Sequence, residues 1–415
     1  MPEVLERVRS VRKLPKLKDL DITIDGEQVL PVSVSLAKVG FDGKNGSFAV
    51  EDTPIIQKLI SRTSKFHYLD TIKTHSKTFF ACPDRFLDAL ILVISKLPHL
   101  RELDLTDSKD AYPPPKQIFN ILDILAKAPK FEILRLGLQI KGVSSQISLL
   151  KHPLFKAKSL KRTSFSLFFY EDTAPEDLNK VFDLLGGMPS LYGLCLDFSS
   201  YTSISDETVE DLMKKMSGMT SIRKLKIHFA ELSGRLGAKQ AGNIVRWTFN
   251  KMVFLEELDL KPPKNCLELG EHNDIQGLPR LRKASLHMEN WKSEKENEIR
   301  GAVEILGKCQ GLRELELFLK DSVRDCQGMT MKLCESLRKL KELQVFRLYA
   351  TAEWRYSNMT QDLMWEFLMT WNRMRSLQDL TVFMGMNPHE RSLNYGGLYN
   401  QLANNKKYRC FLLGY

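Results

Sequence analysis

GLRELELFLK, at residues 311–320, contains the pattern that decides the fold of this 415-residue chain, L-x-x-L-x-L. Similar stretches are HLRELDL at 99–105, SIRKLKI at 221–227 and FLEELDL at 254–260. The first apolar residues of the copies lie at 100, 131, 160, 191, 222, 255, 281, 312, 343, 377 and 408. A nearly constant period of roughly 31 residues indicates stacked repeats, each too small to bury its own apolar face.

Each repeat combines a strand pattern with a helix pattern. Apolar and polar residues alternate at the end of the core, as in residues 315–317, and this alternation predicts a short strand. Apolar residues at helical spacing precede many of the cores, and one such stripe comprises Leu178, Val181, Phe182 and Leu185. One strand and one helix per repeat predict a parallel sheet with helices on its other side. Helices are wider than strands, roughly 10 Å against 4.8 Å, so we expect the stack to curve with its strands on the concave face.

These repeats resemble the leucine-rich-repeat family, in its long, helix-containing, ribonuclease-inhibitor-like class. The resemblance covers nearly the whole chain and implies an α/β fold, a curved horseshoe solenoid of about 12 repeats of roughly 31 residues. One family feature is missing, the Asn or Cys three residues after the last core leucine. Those positions hold Ser108, Gln139, Phe168, Ser199, Ala230 and Thr351. We therefore expect the loop after each strand to be less tightly bonded than in the family.

The repeats predict a single solenoid domain over residues 1–415. Regular repeats occupy residues 66–403, and residues 404–415 predict a terminal strand. Residues 1–65 precede the regular repeats and contain an insertion, so they are interpreted as an N-terminal capping region.

The insertion predicts a β-hairpin. Residues 32–36 alternate in polarity, the DGKNG stretch at 42–46 has the composition of a turn, and Phe48 and Val50 follow. We expect this hairpin to cover the open edge of the sheet, which would otherwise expose apolar core and unpaired backbone groups.

The composition favours an intracellular, cytoplasmic protein. The seven cysteines are scattered and never spaced C-x-x-C, as a reducing compartment permits. No signal-peptide pattern opens the sequence, and no apolar run reaches the roughly 18 residues of a membrane span. We therefore expect no membrane partner.

The sequence contains no recognisable catalytic or cofactor motif. It has no phosphate-binding glycine loop, no nucleophile elbow and no paired carboxylates in a known frame. His228 and His287 would lie two strands apart, roughly 10 Å by strand spacing, which disfavours a shared metal ion. We expect a non-enzymatic protein with no cofactor, metal or small-molecule substrate.

The first candidate binding surface is the exposed middle position of each strand. Lys226 would lie beside Asp259, and Glu316 beside Arg347, so opposite charges would pair across neighbouring strands. Such exposed pairs contribute about 0.2–1 kcal/mol each. Two interpretations stay open: a charge mosaic that suits a specific protein partner, or pairs that only stabilise the sheet.

The second candidate surface is a basic edge where each helix gives way to the next strand. Its densest cluster, here called the basic cluster, comprises Lys156, Lys158, Lys161 and Arg162. The formal net charge of +10 agrees with a strip that docks something acidic, such as RNA phosphate, the acidic tail of tubulin or an acidic protein face. The alternative is that these cations only offset the macrodipoles of the preceding helices.

The third candidate surface is the long connection that contains Trp354, Arg355 and Tyr356. Trp, Tyr and Arg are the residue types that anchor protein interfaces. The aromatic residues also miss the register of the buried positions, so this segment is a hypothesised partner contact.

Together these patterns favour a non-catalytic protein-interaction scaffold, a structural subunit or adaptor of a larger intracellular assembly. A ciliary or cytoskeletal setting rich in acidic tubulin would suit the basic edge, by analogy of fold and charge alone. The alternative is an RNA-associated subunit of a ribonucleoprotein complex that docks phosphate along the basic edge. The cations are not interleaved with stacking aromatics, which disfavours this alternative. A ubiquitin-ligase substrate adaptor is a third possibility, although no F-box-like helical module precedes the repeats.

Overall fold

The structure is a computed structural model, and it describes a little more than half of the chain in separate segments. The described residues are 19–23, 33–35, 38–40, 71–75, 91–92, 94–97, 99–106, 115–141, 144–170, 173–200, 205–229, 247–248, 250–261, 277–289, 303–320, 326–350 and 361–384. The chain divides into two compact units, Met1–Leu196 and Asp197–Tyr415.

The first unit is built on parallel strands. Its strands are β1 (Asp19–Thr23), β2 (Ser33–Ser35), β3 (Lys38–Gly40), β4 (Thr71–His75), β5 (Glu102–Leu105), β6 (Ile133–Ile140), β7 (Arg162–Tyr170) and β8 (Leu191–Ser200), the last of which contains the boundary between the units. β1, β4, β5, β6, β7 and β8 are neighbours in that order. The pairs from β1 to β7 are parallel.

The described helices of the first unit are α1 (Pro115–Lys127), α2 (Ser144–Leu149) and α3 (Pro175–Gly186), with a 3₁₀ turn at Pro153–Lys156. Proline opens both α1 and α3, where its missing N–H costs nothing and its fixed φ favours the helix. The stripe predicted for α3 is confirmed, because Leu178, Val181, Phe182 and Leu185 are its buried residues.

The second unit repeats the same arrangement. Its strands after β8 are β9 (Lys224–Phe229), β10 (Glu257–Lys261), β11 (Lys283–Glu289), β12 (Glu314–Lys320), β13 (Val345–Ala350) and β14 (Asp379–Met384). Each pairs with the next in parallel. Its described helices are α4 (Asp206–Ser217), α5 (Cys326–Lys339) and α6 (Gln361–Arg373).

The apolar residues of the repeat pattern form the core of each unit. One row across β9–β14 is at most 2 % exposed and comprises Leu225, Leu258, Ala284, Leu315, Phe346 and Leu380. The matching residues of β5 and β6, Leu103 and Leu134, are 0 % exposed. The predicted α/β class with a parallel sheet is therefore confirmed. The number of repeats and a helix in every repeat stay predictions.

A backbone ladder joins successive repeats just before their strands. The carbonyl of Arg101 accepts hydrogen bonds from the N–H groups of Glu132 and Ile133, at 2.9 Å each. The same bifurcated bond recurs along both units, with acceptor carbonyls at Glu132, Arg223, Glu256, Arg282, Arg313 and Gln344. The ladder uses main-chain groups only, so it leaves the side chains at these positions free to vary.

Gly277 lies at a close approach of two successive repeats. Its φ is +80°, in the left-handed region that glycine adopts without strain. A Cβ at this position would lie 2.9 Å from Cβ of Lys308, in the following repeat. The neighbouring Leu278 donates its N–H to Sγ of Cys309, at 3.4 Å. Glycine is therefore required here both by conformation and by space.

The antiparallel pair within residues 1–65 differs from the predicted hairpin. β2 and β3 pair Val34 with Val39 and Ser35 with Lys38, so residues 36–37 connect them rather than the DGKNG stretch at 42–46. β3 lies next to β1, the first strand of the parallel sheet. The capping role, the single domain over 1–415 and the regular repeats over 66–403 stay predictions. Residues 404–415 lie outside the described part of the chain.

Candidate binding face of the second unit

The polar side of β9–β13 carries three rows of side chains, each formed by residues paired in register across neighbouring strands. The first row comprises Lys224, Glu257, Lys283 and Glu314. The second row comprises Lys226, Asp259, Ser285, Glu316 and Arg347. The third row comprises His228, Lys261, His287, Phe318 and Tyr349. Side chains alternate between the two sides of a strand, so these rows face away from the leucine core.

The first row is a ladder of alternating charges. Nζ of Lys224 lies 2.7 Å from Oε1 of Glu257, and Nζ of Lys283 lies 3.0 Å from Oε2 of Glu314. The bond to Glu314 is the main cause that raises the pKa of Lys283. All four side chains are about half exposed, so each pair contributes only about 0.2–1 kcal/mol. The row is electrically self-compensated.

The second row contains the pairs that the sequence predicted. Nζ of Lys226 lies 2.9 Å from Oδ2 of Asp259, and the Arg347 guanidinium donates to Oε1 of Glu316 at 2.7 Å. Arg347 also lies 3.8 Å from Oδ2 of Asp379 on β14. The bond to Glu316 is the main cause that raises the pKa of Arg347. Both predicted pairings are confirmed, whereas their role in partner binding stays a prediction.

The third row contains stacked rings that sequence reasoning missed. His287 and Phe318 are stacked with centroids 4.2 Å apart and planes 2° apart, and Phe318 and Tyr349 follow at 4.6 Å and 7°. Both faces of Phe318 are therefore covered, which leaves the ring edges for contact. We call His287, Phe318 and Tyr349 the aromatic stack. The sequence did contain a signal for this stack. In these three repeats an aromatic ring directly follows the last core residue, and in-register parallel strands place such positions side by side.

Asp259 brings together two histidines from the flanking strands. Its Oδ1 lies 3.2 Å from Nε2 of His228 and 3.3 Å from Nε2 of His287, while Lys226 contacts the other oxygen. Burial alone would raise the pKa of Asp259, but the bonds from both histidines and Lys226 outweigh burial and hold that pKa well below its usual range.

The separation of roughly 10 Å expected between the two histidines is wrong for their side chains. The ring centroids of His228 and His287 are 5.5 Å apart. Their strands do lie on either side of β10, but both rings lean towards Asp259 on that middle strand. The side-chain cluster of these three residues is therefore much tighter than the backbone spacing implies.

The basic cluster lies on the first unit and is partly compensated there. Lys156, Lys158, Lys161 and Arg162 are all exposed. Lys161 contacts Glu132 at 2.6 Å, and the Arg162 guanidinium lies 4.8 Å from the centre of the Tyr192 ring. The hydrogen bonds from Arg101 and Lys161 lower the pKa of Glu132 to about 2. Its role as a docking strip stays a prediction.

Some cations of the basic edge lie where helix macrodipoles favour them. Basic residues occupy the last turns of α1, α4 and α5, namely Lys127, Lys214, Lys215, Arg338 and Lys339. This placement agrees with the alternative in which the cations only offset helix dipoles. The predicted contact segment with Trp354, Arg355 and Tyr356 lies outside the described residues.

Comparisons with known proteins do not extend these observations. The sequence matches no protein-family model, and no curated protein shows significant similarity to it.

Within the described segments, no helix combines the length and apolar character that crossing a membrane would require.

Proposed function

We propose that this chain is a non-catalytic protein-interaction platform of the leucine-rich-repeat class, a curved horseshoe of about 12 repeats. It serves as a structural subunit or adaptor of a larger intracellular assembly, with a ciliary or cytoskeletal setting as the first candidate. The observation that carries this proposal is the polar face of β9–β13, where paired charges border an aromatic stack.

The second and third rows have the composition of an interface. Aromatic residues and arginine are enriched where proteins bind one another, and they supply most of the binding energy. Arg347 and Tyr349 lie two residues apart on β13, and both are partly exposed. Because Arg347 is already paired with Glu316, a partner that covers this face buries a compensated charge rather than an isolated one.

Rigid strands support the same proposal. The stacked rings hold one another in place, and the charged side chains are restrained by neighbours on adjacent strands. A surface ordered before binding loses less side-chain entropy when a partner docks. A specific protein with complementary charge and apolar patches fits this face.

Two observations favour a protein partner over RNA. The faces of Phe318 are occupied by His287 and Tyr349, so a base cannot stack on that ring. In the first unit, the carboxylate of Glu132 lies against Lys161 of the basic cluster, which weakens the attraction of that cluster for a polyanion.

The test is a quantitative pull-down with the tagged full-length chain and two charge-reversal variants. Arg347→Glu reverses a charge on the second row, and Arg338→Glu reverses one on α5, where Arg338 pairs with Glu366. The two side chains are similarly exposed, 31 % and 34 %, and each pairs with a glutamate, while Arg347 also lies near Asp379. We expect Arg347→Glu to lose partners that Arg338→Glu retains.

Salt and RNase arms distinguish the alternatives. Partners that survive RNase and disappear with Arg347→Glu support the platform. Partners lost on RNase treatment place the chain in a ribonucleoprotein and overturn the first choice.

Replacing the four residues of the basic cluster with Gln tests the docking strip. Weaker binding at low salt, with unchanged folding, supports the strip, whereas unchanged affinity for the native partner refutes it. Equal retention by both Arg variants and by Tyr349→Ala rejects the polar face as the binding surface.

A further inference from the structure

The cluster of His228, Asp259 and His287 has a geometry that the proposed platform does not explain. The three residues come from β9, β10 and β11, and one oxygen of Asp259 faces both Nε2 atoms, at 3.2 and 3.3 Å. The three potential donor atoms all lie within 4.8 Å of one another. The side chains are 18–27 % exposed, so the cluster is ordered yet reachable from solution.

We propose that His228, Asp259 and His287 form a binding site for a divalent transition-metal ion, with zinc as the representative ion. Zinc holds nitrogen and carboxylate oxygen ligands at about 2.0–2.2 Å in a tetrahedron, which places neighbouring ligand atoms roughly 3.3 Å apart. The two nitrogen–oxygen distances in the cluster match that tetrahedral edge. A small inward movement of the two rings brings all three donors onto one ion.

The donor set selects the class of ion. Two imidazole nitrogens and one carboxylate oxygen suit divalent zinc, cobalt, nickel, iron and copper, whereas calcium and magnesium require mainly oxygen ligands. Three protein ligands leave at least one coordination position open, as in sites that also hold water. On an exposed sheet face, that position is accessible to water or to a side chain from a partner.

Neighbouring groups already orient two of the three ligands. Lys226 bonds Oδ2 of Asp259 at 2.9 Å, which leaves Oδ1 for the metal. The ring of His287 is held flat against Phe318. Side chains that contact the ligands rather than the metal fix the orientation of those ligands and tune the affinity for the metal.

Two cations on the same face limit how tightly the site can bind a metal ion. Lys226 contacts Asp259 directly, and Lys261 lies between the two histidines in the third row. Their positive charges repel a divalent cation, so we expect only moderate affinity. The choice between ions then depends on the geometry of the ligands. Metal ligands bind in their deprotonated form, so the affinity of such a site falls in acid.

The experiment uses the purified full-length protein after treatment with a chelator and removal of that chelator. Zinc is titrated by calorimetry, and cobalt is titrated by visible absorption, which reports the coordination number. We expect one zinc ion per chain and no competition from excess magnesium. His228→Gln and His287→Gln should each weaken zinc binding by more than about 100-fold, because even outer-shell changes cost about 10–100-fold.

A matched control separates this site from scattered histidine binding. His99 is exposed in the first unit and lies 3.0 Å from Nζ of Lys130, so His99→Gln should leave zinc affinity unchanged. Circular dichroism establishes that each variant is folded, and Lys226→Gln, which retains all three ligands, should keep the one-to-one stoichiometry. The proposal is overturned if wild-type protein binds no zinc, or if a folded His228→Gln/His287→Gln variant binds it equally well. The inference does not depend on the proposed platform.

Discussion

Asp104 of the first unit and Asp259 of the second unit occupy the same place in the repeat, between two core leucines, yet their surroundings differ. Asp104 is 5 % exposed, accepts a hydrogen bond from the N–H of Thr106 at 3.0 Å, and pairs with Arg135 at 3.2 Å. Asp259 faces Lys226 and two histidines, and 27 % of its side chain is exposed. One carboxylate is enclosed by the fold, and the other remains accessible.

The residues after each core account for this difference. On β5, β6 and β7 of the first unit those positions hold Thr106, Gly137 and Ser166, which are too small to reach across a strand. In the second unit they hold the two histidines and the rings of the aromatic stack. The same backbone therefore carries small residues at this position on β5–β7 and a candidate binding face on β9–β13.

The largest expected effects on stability come from the apolar core, which each of the two units has. Phe165→Ala in the first unit and Phe346→Ala in the second remove rings that are 1 % and 0 % exposed. Each should lower the free energy of unfolding by about 3–5 kcal/mol, measured by urea denaturation. Leu92→Ala and Met369→Ala, at 62 % and 44 % exposure, are the controls and should change it by at most about 0.5 kcal/mol. A loss of unfolding free energy below about 1 kcal/mol for either variant would contradict the placement of that phenylalanine in the core of its unit.

The next prediction tests the two aspartates directly. Asp104→Asn and Asp259→Asn each weaken charge-assisted hydrogen bonds, and we expect each to cost about 1–3 kcal/mol at neutral pH. Only Asp259→Asn should abolish the rise in thermal stability that zinc produces in the wild type. Equal stabilisation of both variants by zinc would remove the distinction between the aspartates.

The low pKa of Asp259 also predicts a dependence of stability on pH. Its folded pKa lies below the ordinary 3.8, so its contribution is complete above that value and is lost as the pH falls through the folded pKa. The difference in unfolding free energy between wild type and Asp259→Asn should therefore shrink in acid. Urea denaturation at neutral pH and below pH 3.8 measures it, and a constant difference would contradict the assigned hydrogen bonds.

A smaller effect is expected at Glu132 in the first unit. Hydrogen bonds from Arg101 and Lys161 hold its pKa at about 2, compared with the ordinary 4.5. Because the folded pKa is the lower one, the stabilisation is present above about 4.5 and is lost as the pH falls towards 2. Carboxyl-resolved NMR titration should show the pKa of Glu132 rising towards 4.5 in Lys161→Gln. An unchanged value would show that Lys161 does not engage Glu132 in solution, leaving that cation available to a partner.

The mildest test compares cysteines on the sheet face and in the core. Cys195 on β8 is partly exposed, whereas Cys309 and Cys334 are buried, and burial raises the pKa of each to about 11. Iodoacetamide at pH 8 should modify Cys195 before Cys309 and Cys334, because the thiolate is the reactive form. Mass spectrometry of alkylated peptides measures the order, and urea-unfolded protein is the control in which all three react. Equally fast labelling of Cys309 or Cys334 in the folded protein would show that the core opens.

Local patterns were sufficient to predict much of the regular structure. The strand β10 follows from the alternation of Leu258, Asp259 and Leu260, and the buried face of α3 follows from helical spacing. Both signals depend on residues that are close in sequence. The pairing of Lys226 with Asp259 was also predictable, because in-register parallel strands place equivalent positions of successive repeats side by side.

The missed features depend on side-chain reach and on competing turn signals. Backbone spacing overestimated the distance between His228 and His287, because it ignored how far two imidazoles can lean over a shared carboxylate. The pairing of β2 with β3 was missed because its connection at residues 36–37 has no glycine, asparagine or proline, whereas DGKNG at 42–46, outside the described residues, is the stronger turn signal.

Gly277 has a consequence for how this array can evolve. The atoms nearest to its missing side chain belong to Lys308, so the following repeat imposes a steric requirement for glycine in addition to that of the positive φ of Gly277 itself. A repeat transplanted in front of Lys308 must therefore also present glycine at this position, whatever its other residues are. Duplication or recombination of repeats at this junction is restricted to compatible neighbours, so the array is less modular than its regular period implies.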